Sequence, residues 1–436
     1  LIFLSVWDSV TILFSNALFF LIKWYRDMFS KGIEKSQQVS SGKIAFILGS
    51  LMAFGPLSID MYLPGLPDIG LEFNSDASAT QFTLSFFLIG LAAGQAFYGP
   101  IADRFGRKLP LKFGCALYIL ASLGCAVSTS VVSLIALRFA QALGCCAGMV
   151  VTNSVVRDLF DIRDSARMYS MLMLVTGLAP ITAPLMGGYL LLYSDWRTIF
   201  WVLTIFGCIC LLMVVFHLPE TLPTDRRISG GLRKVISIYG HLLTTRNFVG
   251  YALCGGFISA VMFAYITGSP FVFMELYGVA PHHYGWLFGI NAFGLICASQ
   301  LNRWLLKRYS NTTILNTMLW IIAASGLALV LIASTETGGL IGLIIPIFLC
   351  VSSIGLVFPN TVASVMAPYD KMAGSASALL GTLNFAIGAG AGSLIGILHT
   401  GTAMPMAGII GLCAVAALVS FYTMTDQKIL QSSTAG

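Results

Sequence analysis

The sequence predicts an all-α integral membrane protein with twelve transmembrane helices in two related six-helix halves. Three observations predict it. Hydrophobic residues make up 57% of the 436-residue chain and charged residues 10%, with a mean hydropathy of +0.87, whereas an ordinary soluble domain carries about a quarter charged residues. The apolar runs are continuous and about twenty residues long, the length of a helix that crosses a bilayer, while barrel strands would alternate over about ten. Finally, the basic residues fall in alternate gaps. With the start of the core in the cytoplasm, every one of the 24 Lys and Arg except Arg138 and Arg197 lies at a cytoplasmic gap or flank, as the positive-inside rule requires. The net charge of +6 follows from this sidedness and implies no nucleic-acid partner.

Residues 1–43 read as an N-terminal extension, cytoplasmic or interfacial. Its first 22 residues are apolar, with Ser5, Asp8, Ser9, Ser15 and Asn16 giving one polar face. That pattern fits an interfacial helix, an extra span or sequence upstream of the true start, and it lacks the basic n-region and cleavage site of a signal peptide. Apolar runs near 44–64, 80–99, 110–128, 131–153, 167–190 and 197–217 make a first half over 44–217. The longest polar gap, 218–247, reads as a cytoplasmic central loop. Runs near 248–270, 284–303, 312–333, 339–361, 374–397 and 405–425 make a second half over 248–425, followed by a cytoplasmic tail over 426–436. The ten Cys all fall in or beside apolar runs and form no metal-type spacing with His, so they read as small packing residues. No cofactor is expected. His217, His241, His282, His283 and His399 sit at span ends or in loops.

The stretch that organises the chain is Gly99-Pro-Ile-Ala-Asp103-Arg104-Phe-Gly106-Arg107-Lys108, between the second and third apolar runs. Its charges cannot cross a bilayer cheaply, so it reads as a tight hairpin whose glycines allow close backbone approach. A generic basic loop would mark sidedness alone. The spacing is more specific, and it resembles the signature loop between the second and third helices of the major facilitator superfamily. A weaker copy, Asn302-Arg303-Trp-Leu-Leu-Lys307-Arg308, follows the eighth run and lacks the acid and both glycines. Two such halves around a central substrate cavity are the plan the resemblance implies.

Further motifs lie on the spans where the resemblance places them. The fourth span carries Arg138, Gln141 and Gly144, matching a family motif in which Ala142 replaces a first glycine. A charge inside a span is a functional hypothesis by default. Arg138 either snorkels to the outer surface or faces the cavity and tunes the protonation of a nearby acid. The candidate acid is Asp60, in the run Ser58-Ile-Asp60-Met-Tyr62-Leu-Pro64 of the first span, and it either serves as proton carrier, reaches water or caps a turn. Burial and a neighbouring cation act oppositely on a carboxyl group's hold on its proton, which suits a group that must load and release one. Pro56 and Pro64 should bend or break this span. The fifth span carries Gly177, Pro180, Pro184, Gly187 and Gly188, with Ala183 before Pro184. This resembles the antiporter motif of drug exporters, which seals the cavity against leak, and a purely structural bent helix fits the same residues. Trp196-Arg197 with Phe200, and Leu218-Pro219-Glu220-Thr221-Leu222, are common in drug–proton antiporters. The run around Asp60 narrows the resemblance to the bicyclomycin/chloramphenicol-resistance (Bcr/CflA) branch.

The glycines of the eleventh span (Gly374, Gly381, Gly388, Gly390, Gly392) should allow tight packing. Its positive N-terminal end is expected to meet Asp103 and lock the outward-facing state. Tyr62, Asn153, Asn291, Asn360 and Asn384 are candidates to line the cavity.

The resemblance implies multidrug efflux by proton antiport, exporting bicyclomycin- or chloramphenicol-like compounds from a bacterial inner membrane. A small-molecule drug, protons and the lipid bilayer are the partners, and a monomer is sufficient because one chain supplies both halves. Asp60 and Arg138 would couple protons, the Gly99–Lys108 stretch would gate the inner face and the fifth span would seal. The rival in the same class is proton-coupled uptake of a small metabolite. A membrane-embedded enzyme would need clustered His or acids at one face, and a channel would need a polar pore stripe. No nucleotide-binding motif is present, so the energy source is an ion gradient.

Overall fold

A computed structural model describes residues 41–224, 227, 232–369 and 372–425. The expectations for the extension up to residue 40 and for the tail beyond 425 lie outside these residues. The described residues of Ile47–Gly436 form one body, and of the unit Leu1–Phe46 only the first residues of α1 are described.

Among the described residues the structure is helical throughout, with no strand. The elements are α1 (Ser41–Asp60), a 3₁₀ turn (Leu63–Gly65), α2 (Leu66–Glu72), α3 (Ala77–Phe105), α4 (Lys108–Ala126), α5 (Val131–Leu159), α6 (Ile162–Leu190) and α7 (Arg197–His217). They continue with α8 (Leu232–Thr244), α9 (Arg246–Pro270) running into a π turn (Phe271–Leu276), α10 (Pro281–Leu305), α11 (Asn311–Thr335), α12 (Gly339–Met366), α13 (Ala373–Ile397) and α14 (Met404–Met424). Eleven of the described segments are long and apolar enough to cross a membrane. The expected eighth span, α10, has the length but is not among them, and it carries His282, His283, Asn291, Asn302 and Arg303. It is nonetheless held between α6 and α12.

Helix starts follow capping chemistry. The side chains of Asp76, Ser130, Asp161 and Ser310 accept from the backbone N–H three residues on, at the heads of α3, α5, α6 and α11. The first span breaks as its prolines suggest, though not at Pro56, which lies inside α1. The break falls after Asp60, where Pro64 opens the 3₁₀ turn and Pro67 opens α2. The central loop contains an element the sequence reading did not anticipate, the short helix α8, packed on α9 and α13.

The packing partners of the first six spans recur in the last six. Helix α3 packs on α5, α4 on α5, and α4 on α7; correspondingly α10 packs on α12, α11 on α12, and α11 on α14. The two sets meet along two seams, α3 with α13 and α6 with α10, which the same correspondence interchanges. The two ends of the bundle will be called the basic end, carrying Gly106, and the far end, carrying Asp60 and Trp196.

Of the ten cysteines, all free, eight are buried, as packing residues should be, while Cys208 and Cys297 are exposed.

Candidate functional site

The centre of the first six spans holds Arg138, fully buried. It neither snorkels nor faces a carboxylate. One Nη donates to Gln141 Oε1 at 2.6 Å and the other to the Ser58 carbonyl at 2.9 Å. Gln141 in turn donates to Ser122 Oγ at 2.8 Å, and the Ser58 and Tyr118 hydroxyls lie 2.7 Å apart. The guanidinium sits over the rings of Phe87 at 4.2 Å and Tyr62 at 4.4 Å, with Phe200 at 5.8 Å. Such cation–π contacts contribute about 2 kcal/mol when desolvated. They let a cation stay inside a low-dielectric bundle with its Nε unpartnered among the described residues. Tyr62, expected at the cavity wall, is buried in this box, its hydroxyl 2.8 Å from that of Thr83. Gly144, the third matching residue of the span-4 motif, lets α4 approach, since a Cβ there would lie 2.5 Å from the Tyr118 nitrogen.

Asp60 ends α1 and is only 4% exposed. Its carboxyl group makes no hydrogen bond or ion pair with the described residues, so the expected pairing with Arg138 is not made. The guanidinium reaches the backbone two residues away instead. The 3₁₀ turn that follows Asp60 packs against α6, α9 and α10, and Asp60 lies within electrostatic reach of the Tyr265 and Tyr284 hydroxyls. Asp60 therefore sits where the two sets of spans meet.

The far end is closed around it. A Cβ on Gly187 would overlap the Met61 carbonyl oxygen, and one on Gly188 would lie 2.6 Å from the Pro281 carbonyl oxygen. Both glycines let backbones meet where no larger residue fits. On the other seam Ser78 Oγ donates to the Gly396 carbonyl at 2.6 Å, and a Cβ on Gly392 would lie 3.3 Å from Ser85 Oγ. Pro180 and Pro184 lie inside α6, while a Cβ on Gly177 would make only ordinary contact with Ile296 at 3.7 Å. Arg197, the basic residue on the unexpected side, is matched there by Glu72, whose Oε2 accepts from Arg197 at 2.6 Å and from Trp196 Nε1 at 2.7 Å.

At the basic end the Gly99–Lys108 stretch is not a hairpin of ten residues. Helix α3 continues through Pro100 to Phe105, and only Gly106 and Arg107 separate it from α4. The two motif glycines differ accordingly. Gly99 faces open space, whereas Gly106 has φ +89° and a Cβ there would lie 2.5 Å from Glu220 Oε2. Arg107 donates to Asp103 at 2.6 Å and to Asp158 at 2.8 Å. Burial opposes its charge, and these carboxylates more than offset that, leaving it more firmly protonated than an ordinary arginine. Glu220 accepts from the backbone N–H of Arg107 at 2.8 Å and of Lys108 at 3.2 Å, and from Thr221 and Leu222. Burial pushes its carboxyl up, and the four donors outweigh that and hold it below the usual glutamate range. Lys108 opens α4, and Arg104 lies over the Phe105 ring. Asp103 is engaged by Arg107 rather than by the start of α13, where a Cβ on Gly374 would meet nothing within 4 Å.

The asparagine candidates separate. Asn153 is exposed, its amide bonded to the Met149 carbonyl. Asn360 pairs with Asn302 in a helix–helix contact, Asn384 is buried with Oδ1 unpartnered, and Asn291 is buried against Tyr265. Sequence reasoning missed Asp158, Tyr265 and Tyr284; the correspondence of the two sequence halves offered no signal for the tyrosines, which look like ordinary apolar-run aromatics.

Residues 46–393 match the Major Facilitator Superfamily. The MFS-type transporter YdgK of Bacillus subtilis is 38% identical over 395 residues, covering 89% of this chain and 97% of that protein. The Bicyclomycin resistance protein homolog of Haemophilus influenzae is 32% identical over 394 residues, covering 90% of this chain and 99% of that protein. The multidrug resistance protein MdtL of Escherichia coli is 29% identical over 332 residues, covering 76% of this chain and 83% of that protein. Among solved structures, the D-xylose–proton symporter superposes with a TM-score of 0.68 at 15% identity, over 88% of this chain and 98% of that one. A peptide transporter crystallised with sulfate superposes with a TM-score of 0.68 at 14% identity, over 94% of this chain and 98% of that one. At such identities the structures speak for the fold alone. The chain has the all-helical MFS fold, its relatives include the bicyclomycin-resistance branch that its motifs resemble, and it is a multi-pass membrane transporter belonging to the Major Facilitator Superfamily.

Proposed function

We propose that the chain is a proton-coupled exporter of small amphipathic drugs, of the bicyclomycin or chloramphenicol kind, in a bacterial inner membrane. The basic end faces the cytoplasm, and both ends of the core lie there. One chain suffices, with 44–217 and 248–425 acting as two moving halves joined by the loop 218–247. The observation that carries the reading is Asp60, a carboxyl group with no partner among the described residues, buried between the two sets of spans in the closed far end. A buried unpaired anion is costly, so this arrangement fits the proton-loaded carboxyl. The anion would need a different environment, and that difference is what can link a proton to a change of shape.

In this cycle drug enters from the basic end while the Gly187 and Gly188 contacts seal the far end. Drug binds once Asp60 has lost its proton, and drug binding favours the opposite closure. Arg138 holds the end of α1 in place through the Ser58 carbonyl and acts on Asp60 through that backbone. On opening to the outside, drug leaves and a proton reloads Asp60. At the basic end Asp103 exchanges its bond to Arg107 for the start of α13 as the inner face shuts. Asn153 and Asn384 are left as candidates for the drug path.

The test is efflux of a labelled panel including bicyclomycin and chloramphenicol from cells making the parent protein, with and without a protonophore. Efflux that stops with the protonophore supports the reading. Protonophore-sensitive accumulation in its place would indicate an importer.

A further inference from the structure

Asn291 on α10 is buried, and its Nδ2 donates to the carbonyl of Leu287, one turn earlier, at 3.0 Å. A carbonyl can only accept, so this bond fixes which end of the amide is the NH₂ group. The second hydrogen of that group goes to Tyr265 Oη, also at 3.0 Å. Tyr265 Oη is therefore an acceptor here, and its own hydrogen has no acceptor among the described residues. The ring cannot readily turn away, because it stacks on Phe288 at 5.4 Å and packs on Phe273 at 6.4 Å. The neighbouring hydroxyl, Tyr284, shares a hydrogen bond with Ser269 Oγ at 2.9 Å in which either oxygen can donate. Across the contact, the 3₁₀ turn beside Asp60 packs on α9 and α10, the helices that carry Tyr265 and Asn291. A buried donor without an acceptor thus lies within electrostatic reach of a buried carboxyl group without a donor.

Resting on the reading of Asp60 as proton carrier, we infer that Tyr265, oriented by Asn291, donates a hydrogen bond to Asp60 once that carboxyl has lost its proton. Tyr265 is a positioning residue for the coupling step. It belongs to the second half and Asp60 to the first, so the bond forms or breaks across the interface that must move. Proton loss adds this bond across the closed far end, which stays shut until drug binding parts the two halves. The phenol keeps its own proton throughout: the only proton that moves is the carboxyl proton, which leaves to water on the side then open.

Asn291 has a further consequence. By donating to Tyr265 Oη it keeps that oxygen from taking its hydrogen-bond hydrogen from elsewhere and makes the phenol a better donor, since chained hydrogen bonds reinforce one another. Removing Asn291 should therefore weaken the same effect without removing the donor.

The experiment is infrared spectroscopy of the purified full-length transporter in lipid vesicles, titrated with pH. The signal is the protonated-carboxyl band that Asp60→Asn removes. Tyr265→Phe keeps the ring and its packing and deletes only the hydroxyl. In it the midpoint of that band should move to higher pH by about one unit, because the anion loses a donor. Asn291→Leu should move it in the same direction by less. A midpoint unchanged in Tyr265→Phe would overturn the inference while leaving Asp60 as carrier. A band that Asp60→Asn fails to remove would take away the carrier role itself. Neither reading depends on knowing the drug.

Discussion

The two sets of spans are pinned at the basic end by different chemistry at matching places. In the first set, α3 and α5 are joined by charges: Arg107 between Asp103 and Asp158, with Glu220 capping the start of α4. In the second, α10 and α12 are joined by amides. Asn360 donates to Asn302 Oδ1 at 2.7 Å, and Asn311 donates to the Asn360 carbonyl at 3.1 Å and to Ser364 Oγ at 2.7 Å. Asn302 occupies the place that Asp103 holds in the first copy. The amide cluster is neutral, with Asn302 and Asn360 buried and paired to each other and Asn311 half-buried beside them with its Oδ1 unpartnered among the described residues. The charged cluster is partly open to water, Asp103 being 44% exposed on its side chain. Exposed charges can exchange partners at little cost, whereas a buried amide network holds one geometry. In the proposed cycle this difference singles out Asp103, the exposed member of the charged cluster, as the group that changes partners, while Arg107–Asp158 and the amide cluster hold their places.

The sharpest way to break this comparison is at Gly106. Its φ of +89° with an extended ψ of 174° is a conformation that essentially only glycine adopts, and Glu220 fills the space a side chain would need. Gly106→Ala should cost more than about 3 kcal/mol, combining backbone strain with the displaced cap. It should appear as a large drop in the melting temperature of the detergent-solubilised protein. Gly99→Ala, at the other motif glycine, should stay within about 0.5 kcal/mol of the parent, since it lies in a helix and faces open space. Equal effects at the two positions would contradict the placement of the turn.

Next in size is the contrast between the clusters themselves. Arg107→Met strands Asp158 without its cation and should destabilise by about 2–3 kcal/mol. Asn360→Leu leaves the buried Asn302 amide without its partner, while Asn311 keeps its bonds to the residue-360 carbonyl and Ser364, and it should cost about 1–2 kcal/mol. Raised salt should narrow the gap between Arg107→Met and the parent, because it screens the ion pairs. It should leave the loss in Asn360→Leu unchanged.

The smallest expected effect is in acid. Glu220 has a folded value below its ordinary 4.5. Its contribution is therefore fully present above that ordinary value and is lost as pH falls through the lower folded one. Glu220→Gln should flatten this part of the acid limb of stability, while Asn360→Leu, which removes no titrating group, should keep the parent's slope.

Much of this was legible in the sequence. Long apolar runs and the sidedness of the basic residues carry the span pattern because a bilayer allows few alternatives. The motifs around Arg138, Gly187 and Gly188 were found because charges and glycine pairs are unusual inside spans. The partner of Arg138 was misjudged for a physical reason. An aromatic box built from Tyr62, Phe87 and Phe200 looks in sequence like ordinary core, so a carboxylate was expected where π faces and carbonyls serve. Likewise the Gly99 stretch looked like a loop because its charges suggest one, while the helix runs on to Gly106, where the backbone must turn. The placement of the polar helix α10 between α6 and α12, and the presence of α8, depend on packing against neighbours, which hydropathy does not carry.

The measurement that bears most directly on the proposed function is drug uptake into inside-out membrane vesicles under an imposed pH gradient, with chloramphenicol and bicyclomycin as probes. The expected result is that the parent accumulates drug only when the vesicle lumen is acidic and loses it on adding a protonophore, and that Asp60→Asn, expressed to the same level, accumulates none. Accumulation driven by the opposite gradient, or equal accumulation by Asp60→Asn, would contradict proton-coupled export through Asp60.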